Sequence, residues 1–289
     1  MKKFLLFALG VLASAMLLLL AEDYACRRLI FANTCSNQYK MWRLYKGWQK
    51  GEVPILGSSR AESGIMPSVL GDNYFNYGLS GSLQSETLRY LREILKRGTS
   101  EPIVINLDPW GITASDRTCG DYSFVETKLA DFGTWPGVRT FGKFRQALGG
   151  YVNLKTSGSK VMDNGAEFYR FARTREEWQY MLDHMSPGTF GVDSAVMDEY
   201  DRILAALHPP IVFVVTPIAE EWWDKFAGKE ELKNLTARLA ACPNTFVLDF
   251  AHDHNYPYTY FQDLSHLNAE GGRVFGETLR QALDALPLR

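Results

Sequence analysis

The stretch Pro209 to Pro217, PPIVFVVTP, limits the possible folds more than any other part of this chain. It is continuously apolar between its prolines, rich in β-branched residues, and too short for a buried helix, so it reads as a strand covered on both faces. A strand of that kind needs helices above and below it, and others like it beside it. Four more candidates are present: Val53–Leu56, Asn73–Leu79, Pro102–Asp108 and Asn244–Phe250. Helical periodicity falls between and after them. Ser82–Arg97 places Leu88, Leu91 and Leu95 on one face before Gly98, and Glu230–Ala241 does the same with Leu232, Leu235 and Leu239. Ser194–Leu207 and Ala269–Leu286 supply two more helices. The expected fold is α/β, a three-layer sandwich around a five-stranded parallel sheet. Ligands of such sheets bind beyond the carboxyl ends of the strands. Gly57, Ser58 and Ser59 stand at such an end, directly after the first strand.

Residues 111–195 separate the third and fourth strands and form an insertion expected to wall or roof a site. Within it, Arg139–Lys155 is basic and aromatic, and Thr174 with Glu177 makes a capping box at a helix start. After the fourth strand come Trp222 and Trp223. Stacking on a sugar and packing against the insertion are both open to them, and packing is the expectation.

The N-terminus is different in kind. Lys2 and Lys3 precede an uncharged apolar run from Phe4 to Ala21, which as a helix reaches roughly 27 Å, enough to span a hydrocarbon core. The run continues past Ala13-Ser14-Ala15, where a cleaved signal would end, so an uncleaved signal anchor over residues 1–23 is favoured, although a cut near Ala21 stays open. The lysines then remain cytoplasmic and the rest is exported. Cys26 lacks the preceding small-residue pattern of a lipid-anchor site. Residues 24–51 form a juxtamembrane linker with Tyr39, Trp42, Tyr45 and Trp48 at helical spacing, suited equally to a headgroup layer and to packing on the domain. The remaining residues, 52–289, form one domain. The whole chain's net charge of -2 and pI near 6.2 exclude a general affinity for nucleic acid. The four cysteines, Cys26, Cys35, Cys119 and Cys242, include no C-x-x-C pair. Export permits a Cys26–Cys35 disulfide; free thiols fit as well.

Five histidines are available as a base for a hydroxyl nucleophile. His184 and His208 read as helix-end residues, and His252 and His254 follow the fifth strand. His266 sits in DLSHLNAEGG, three residues after Asp263 and just before the last helix. That spacing sets a carboxylate against one ring nitrogen and leaves the other facing outward.

Gly57-Ser58-Ser59 at a strand tip, with D-x-x-H after the fifth strand of a parallel sheet, resembles the SGNH (GDSL-type) hydrolase superfamily. The resemblance implies a flavodoxin-like SGNH fold with Ser59 as nucleophile and Asp263 and His266 as its partners. Ser58 stands where that family has aspartate. NYGLSG, Asn76 to Gly81, is similar to the family's second block, which implies that the Gly81 backbone N–H serves an oxyanion together with that of Ser59. The third block departs: INLDPWG places Asn106 inside the strand and Asp108 and Trp110 on the rim, where the family has a donating asparagine. Ser58, Arg60, Asp108 and Trp110 are candidate substrate contacts, with Arg60 otherwise a surface or rim cation.

A GSS turn behind a membrane anchor is similar to the DltD and alginate O-acetyltransferase groups. That similarity implies a periplasmic or otherwise extracytoplasmic catalytic domain that O-acylates a cell-surface or exported polysaccharide through an acyl-Ser59 intermediate. It further implies a membrane-bound O-acyltransferase as partner. A carbohydrate O-acyl esterase and a non-catalytic accessory subunit share the same residues. No metal or nucleotide cofactor is required by any of these readings.

Overall fold

The computed structural model describes residues 1–113, 148–149, 151–152, 155–156, 158–253 and 255–288. Cys119, His254 and most of Arg139–Lys155 lie outside the described residues. The strands are β1 (Val53–Leu56), β2 (Tyr74–Asn76), β3 (Ile103–Asn106), β4 (Gly111–Ile112), β5 (Lys160–Asp163), β6 (Ala166–Tyr169), β7 (Gly191–Val192), β8 (Ile211–Val215) and β9 (Thr245–Asp249). Five of them make one parallel sheet in the order β2-β1-β3-β8-β9. Every residue of β1, β3 and β8 is buried, as continuous apolar runs require in the middle of a covered sheet. These are the five expected strands, trimmed at their ends.

The helices are α1 (Lys2–Phe31), α2 (Asn37–Lys46), α3 (Ser59–Glu62), α4 (Pro67–Leu70), α5 (Gln84–Leu95), α6 (Arg175–His184), α7 (Ser194–Leu204), α8 (Glu220–Lys225), α9 (Lys229–Ala240) and α10 (Ala269–Asp284). Leu88 and Leu91 of α5, and Leu232, Leu235 and Leu239 of α9, are buried on the faces that their spacing selects. The capping box of α6 is present in full, with Thr174 Oγ accepting from the Glu177 N–H and the Glu177 carboxylate accepting from the Thr174 N–H.

Helix α1 runs beyond the expected span. Its segment Lys2–Glu22 has a mean hydropathy of 2.7 and none of it is buried, so it is long and apolar enough to be a membrane anchor or a signal sequence. Helix α2 resolves the choice left open for the linker. Ser36 caps it by accepting from the Tyr39 N–H, and Lys40, Met41 and Leu44 are buried in the domain. Trp48 beyond its end stacks on Tyr77 at 6.1 Å between ring centroids.

Within the insertion, β4 pairs with β7, and β5 with β6 forms a hairpin. Asn164 and Gly165 at its tip both have positive φ, 42° and 93°, as a tight two-residue turn demands. This turn meets the outer side of β2: the Asn76 N–H donates to Asn164 O at 2.9 Å. A Cβ on Gly165 would fall 2.1 Å from Asn76 O, so only glycine fits there.

Cys35 is a free thiol, so no Cys26–Cys35 disulfide exists in this structure. Its Sγ–H donates to Ala166 O at 2.9 Å, and burial pushes its pKa up to about 11. Since the thiolate is the reactive form, Cys35 is expected to resist a thiol reagent in the native protein and to react only after denaturation. Mass spectrometry of the alkylated chain would check this; rapid native labelling of Cys35 would contradict the burial.

Candidate functional site

Strand β1 ends in Gly57 at φ 141°, where a Cβ would stand 2.8 Å from Asn106 Cβ. Both the conformation and the closeness exclude a side chain. The turn it permits puts Ser58 at the N-cap of α3, its Oγ accepting from the Arg60 N–H at 3.3 Å and donating to Asp108 Oδ1 at 2.8 Å. Ser58 is buried and Ser59 is half-buried. The chain therefore presents one of its two hydroxyls and encloses the other.

Ser59 Oγ–H donates to His266 Nε2 at 2.7 Å. On the other side of the ring, His266 Nδ1–H faces both carboxylate oxygens of Asp263 at 2.9 Å. This partner fixes the tautomer with Nε2 free to accept. Asp263 Oδ1 also accepts from the backbone N–H groups of Ser265 and His266 at 2.9 and 3.0 Å. Burial alone would raise the Asp263 carboxyl, but the hydrogen bonds from His266 and its charge, with the two backbone donors, hold it below the ordinary carboxylate value. The loop is closed by Gln262 N–H on His266 O and by Asn268, whose side chain caps α10 at Glu270 and Gly271. The D-x-x-H spacing works because this tight loop folds the carboxylate back over the ring.

The segment after β2 faces the same turn. Asn76, fully buried, donates from Nδ2 to Ala61 O at 2.7 Å and to Ile65 O at 2.9 Å, and its Oδ1 accepts from the Gly78 N–H at 2.8 Å. One side chain thus ties the end of α3 to the loop. A Cβ on Gly78 would fall 2.7 Å from the Glu62 nitrogen, so the loop lies flat against α3. Gly81, at φ 78°, is exposed with open space beside its Cα. Among the described residues, neither the Ser59 N–H nor the Gly81 N–H has a hydrogen-bond acceptor. Asn106 contributes no donor, because it is fully buried in β3 and its Nδ2 donates to Val214 O at 3.1 Å.

Burial corrects the surface reading of Arg60 and the open-rim reading of Asp108. Arg60 is not a surface cation: it is 9% exposed, its Nε donates to Asp108 Oδ1 at 3.0 Å, and Nη1 reaches Ser265 Oγ at 3.4 Å. Its Cζ lies 3.7 Å from the centre of the Trp110 ring. Asp108 is buried rather than open on the rim, and Trp110 is half-covered. Arg60, Asp108 and Ser58 form a brace behind the turn that carries Ser59, with Trp110 against the guanidinium. Trp222 packs edge-on against Trp110 at 5.5 Å, and both Trp222 and Trp223 are buried in α8, away from any stacking role on a sugar. Sequence reasoning missed Asn76 and Ser265 as site residues. The signal for Asn76 was available, a polar residue ending a strand whose neighbours are apolar.

Two surface cavities, of about 610 and 640 Å³, lie elsewhere, and neither is lined by Ser59, Asp263 or His266. Among the described residues no cluster of His, Cys, Asp and Glu is arranged to hold a metal ion.

No family model matches the chain, and no curated protein matches it in sequence. Among solved structures it is similar to a Bacteroides fragilis NCTC 9343 protein described as a "putative acylhydrolase", with 15% identity, 82% of this chain and 88% of that chain covered, and a TM-score of 0.36. It is also similar to a Streptococcus pneumoniae protein described as a "putative platelet activating factor", with 12% identity, 96% and 98% coverage, and a TM-score of 0.36.

Proposed function

We propose that this chain is a membrane-tethered serine acyl-transfer enzyme, and the 2.7 Å contact between Ser59 Oγ and His266 Nε2, backed by Asp263, carries the reading. Ser59 Oγ attacks the carbonyl carbon of an acyl donor while His266 Nε2 takes its proton. The backbone N–H groups of Ser59 and Gly81 receive the oxyanion. His266 then gives the proton to the leaving oxygen or sulfur, and acyl-Ser59 remains. An acceptor hydroxyl, deprotonated by the same nitrogen, attacks the ester and frees Ser59. Asp263 holds the imidazole in register and stabilises its charged form throughout.

The acceptor in this proposal is a sugar hydroxyl of a cell-surface or exported polysaccharide. The domain is outside the cytoplasm, and a membrane-bound O-acyltransferase delivers the acyl group. The apolar helix α1, which would keep the site beside a membrane, supports transfer over free hydrolysis. Water as acceptor would make the same atoms an esterase. The enclosure of Asn106 in β3, which among the described residues leaves two backbone donors and no side-chain amide, favours a slower enzyme or a non-catalytic accessory subunit. A fluorophosphonate probe separates these readings first, since equal labelling of the wild type and Ser59→Ala would remove the nucleophile. Incubation with an activated acyl ester and an oligosaccharide then divides transfer from hydrolysis by product mass.

A further inference from the structure

Helix α2 reaches the site from behind. Lys40, 1% exposed, donates from Nζ to Glu62 Oε1 at 2.5 Å and to Gly78 O at 2.5 Å. Glu62 is the last residue of α3, the helix that Ser59 opens, and its other oxygen accepts from Ser80 Oγ. Gly78 and Ser80 belong to the loop that leads to Gly81. Arg43, on the same face of α2, donates from Nε and Nη2 to Glu52 Oε2 at 2.9 and 2.5 Å. Glu52 Oε1 accepts from the hydroxyl of Tyr77, the neighbour of Gly78. Two basic residues of the helix beside the membrane segment therefore grip both ends of one short stretch, residues 77–80.

Burying an ammonium and a carboxylate is costly, and an apolar pair of equal volume is often as stable or more so. Stability alone gives no reason for a lysine here. Position does: Lys40 joins α2, the end of α3 and a backbone carbonyl of the loop in one contact, so the loop cannot shift without leaving the ammonium. We infer that Lys40 is a positioning residue that fixes loop 77–81 against α3 and so sets where the Gly81 N–H stands relative to Ser59 Oγ. The inference rests on the proposed role of Ser59. It also makes α2, joined to α1 through residues 32–36, a working part of the site rather than a tether.

The test uses the full chain and p-nitrophenyl acetate. Lys40→Met leaves Glu62 buried without its cation, and both melting temperature and kcat should fall. Lys40→Met with Glu62→Leu removes the pair, so the melting temperature should recover most of the loss, short of wild type by the cost of the Gly78 carbonyl left without its donor. Its kcat should stay about ten- to hundredfold low with KM within about twofold, the range expected when a reacting group is misplaced by about 1 Å. Amide exchange at residues 78–81 should quicken in this double variant while β3 is unchanged. A double variant with wild-type kcat and exchange would overturn the inference, leaving the pair a plain core contact. If the double variant loses cooperative unfolding, Lys40→Met well below its melting temperature decides: faster amide exchange at residues 78–81 with β3 unchanged supports the inference, and unchanged exchange there overturns it. Turnover that survives Ser59→Ala would instead sink the function, and the exchange result would then judge Lys40 alone.

Discussion

Ser59→Ala is expected to abolish fluorophosphonate labelling and to lower turnover of an activated acyl ester about ten-thousandfold or more, the scale seen when a serine nucleophile is deleted. Ser59 is half-buried, and its Oγ bonds His266 without supporting the turn, which Gly57, Ser58 and Asn76 hold. Its melting temperature should therefore stay within a few degrees of wild type. Ser58→Ala is the matched control. That hydroxyl is enclosed and spent on Asp108, so its loss should leave labelling largely intact and reduce stability instead. The adjacent serines differ by one position in sequence and by opposite effects in these two measurements. Labelling that follows Ser58 rather than Ser59 would reverse the assignment.

Asp263→Asn should cost nearly as much, about ten-thousandfold in kcat. An asparagine amide presented to His266 Nδ1 favours the tautomer protonated at Nε2, which then faces Ser59 with a donor and cannot accept its proton. KM should change little, since Asp263 makes its contacts to Ser265 and His266. A readout independent of turnover comes from acid. The Asp263 carboxyl is held below its ordinary value in the folded chain, so the unfolded chain binds the proton more readily. Its contribution to stability is full above about pH 4, the unfolded aspartate value, and is lost as pH falls through the lower folded value. The asparagine variant lacks that term, and its unfolding free energy should depend less steeply on pH below about 4. Unchanged kcat in Asp263→Asn would show that the carboxylate only shapes the loop.

The central sheet was readable because β1, β3 and β8 are buried on both faces, which leaves no polar alternation to confuse them with loops. Ser59, Asp263 and His266 were legible together through their order along the chain, a Gly-Ser-Ser turn after the first strand and Asp-x-x-His ahead of the last helix, and the structure brings the three side chains into contact. Arg60 was not, because nothing local signals that a long cation will fold back over Trp110 and onto Asp108 across the sheet. Lys40 misleads in the same way. On a helix following a long apolar segment a lysine reads as solvated or headgroup-facing, and only the tertiary placement of Glu62 and the Gly78 carbonyl buries it. Asn164-Gly165 was legible and went unused: an Asn-Gly pair between short alternating runs is a strong hairpin signal.

That hairpin has a consequence for how the chain keeps to itself. As the outermost strand, β2 would offer unpaired backbone groups to any passing chain, a template for intermolecular strand addition. The Asn164 carbonyl occupies the Asn76 N–H, and the tight approach of Gly165 leaves no width for a foreign strand at that point. A shortened version without residues 160–169 would keep Ser59, Asp263 and His266 in sequence yet expose this border, and self-association through β2 would be its characteristic fault.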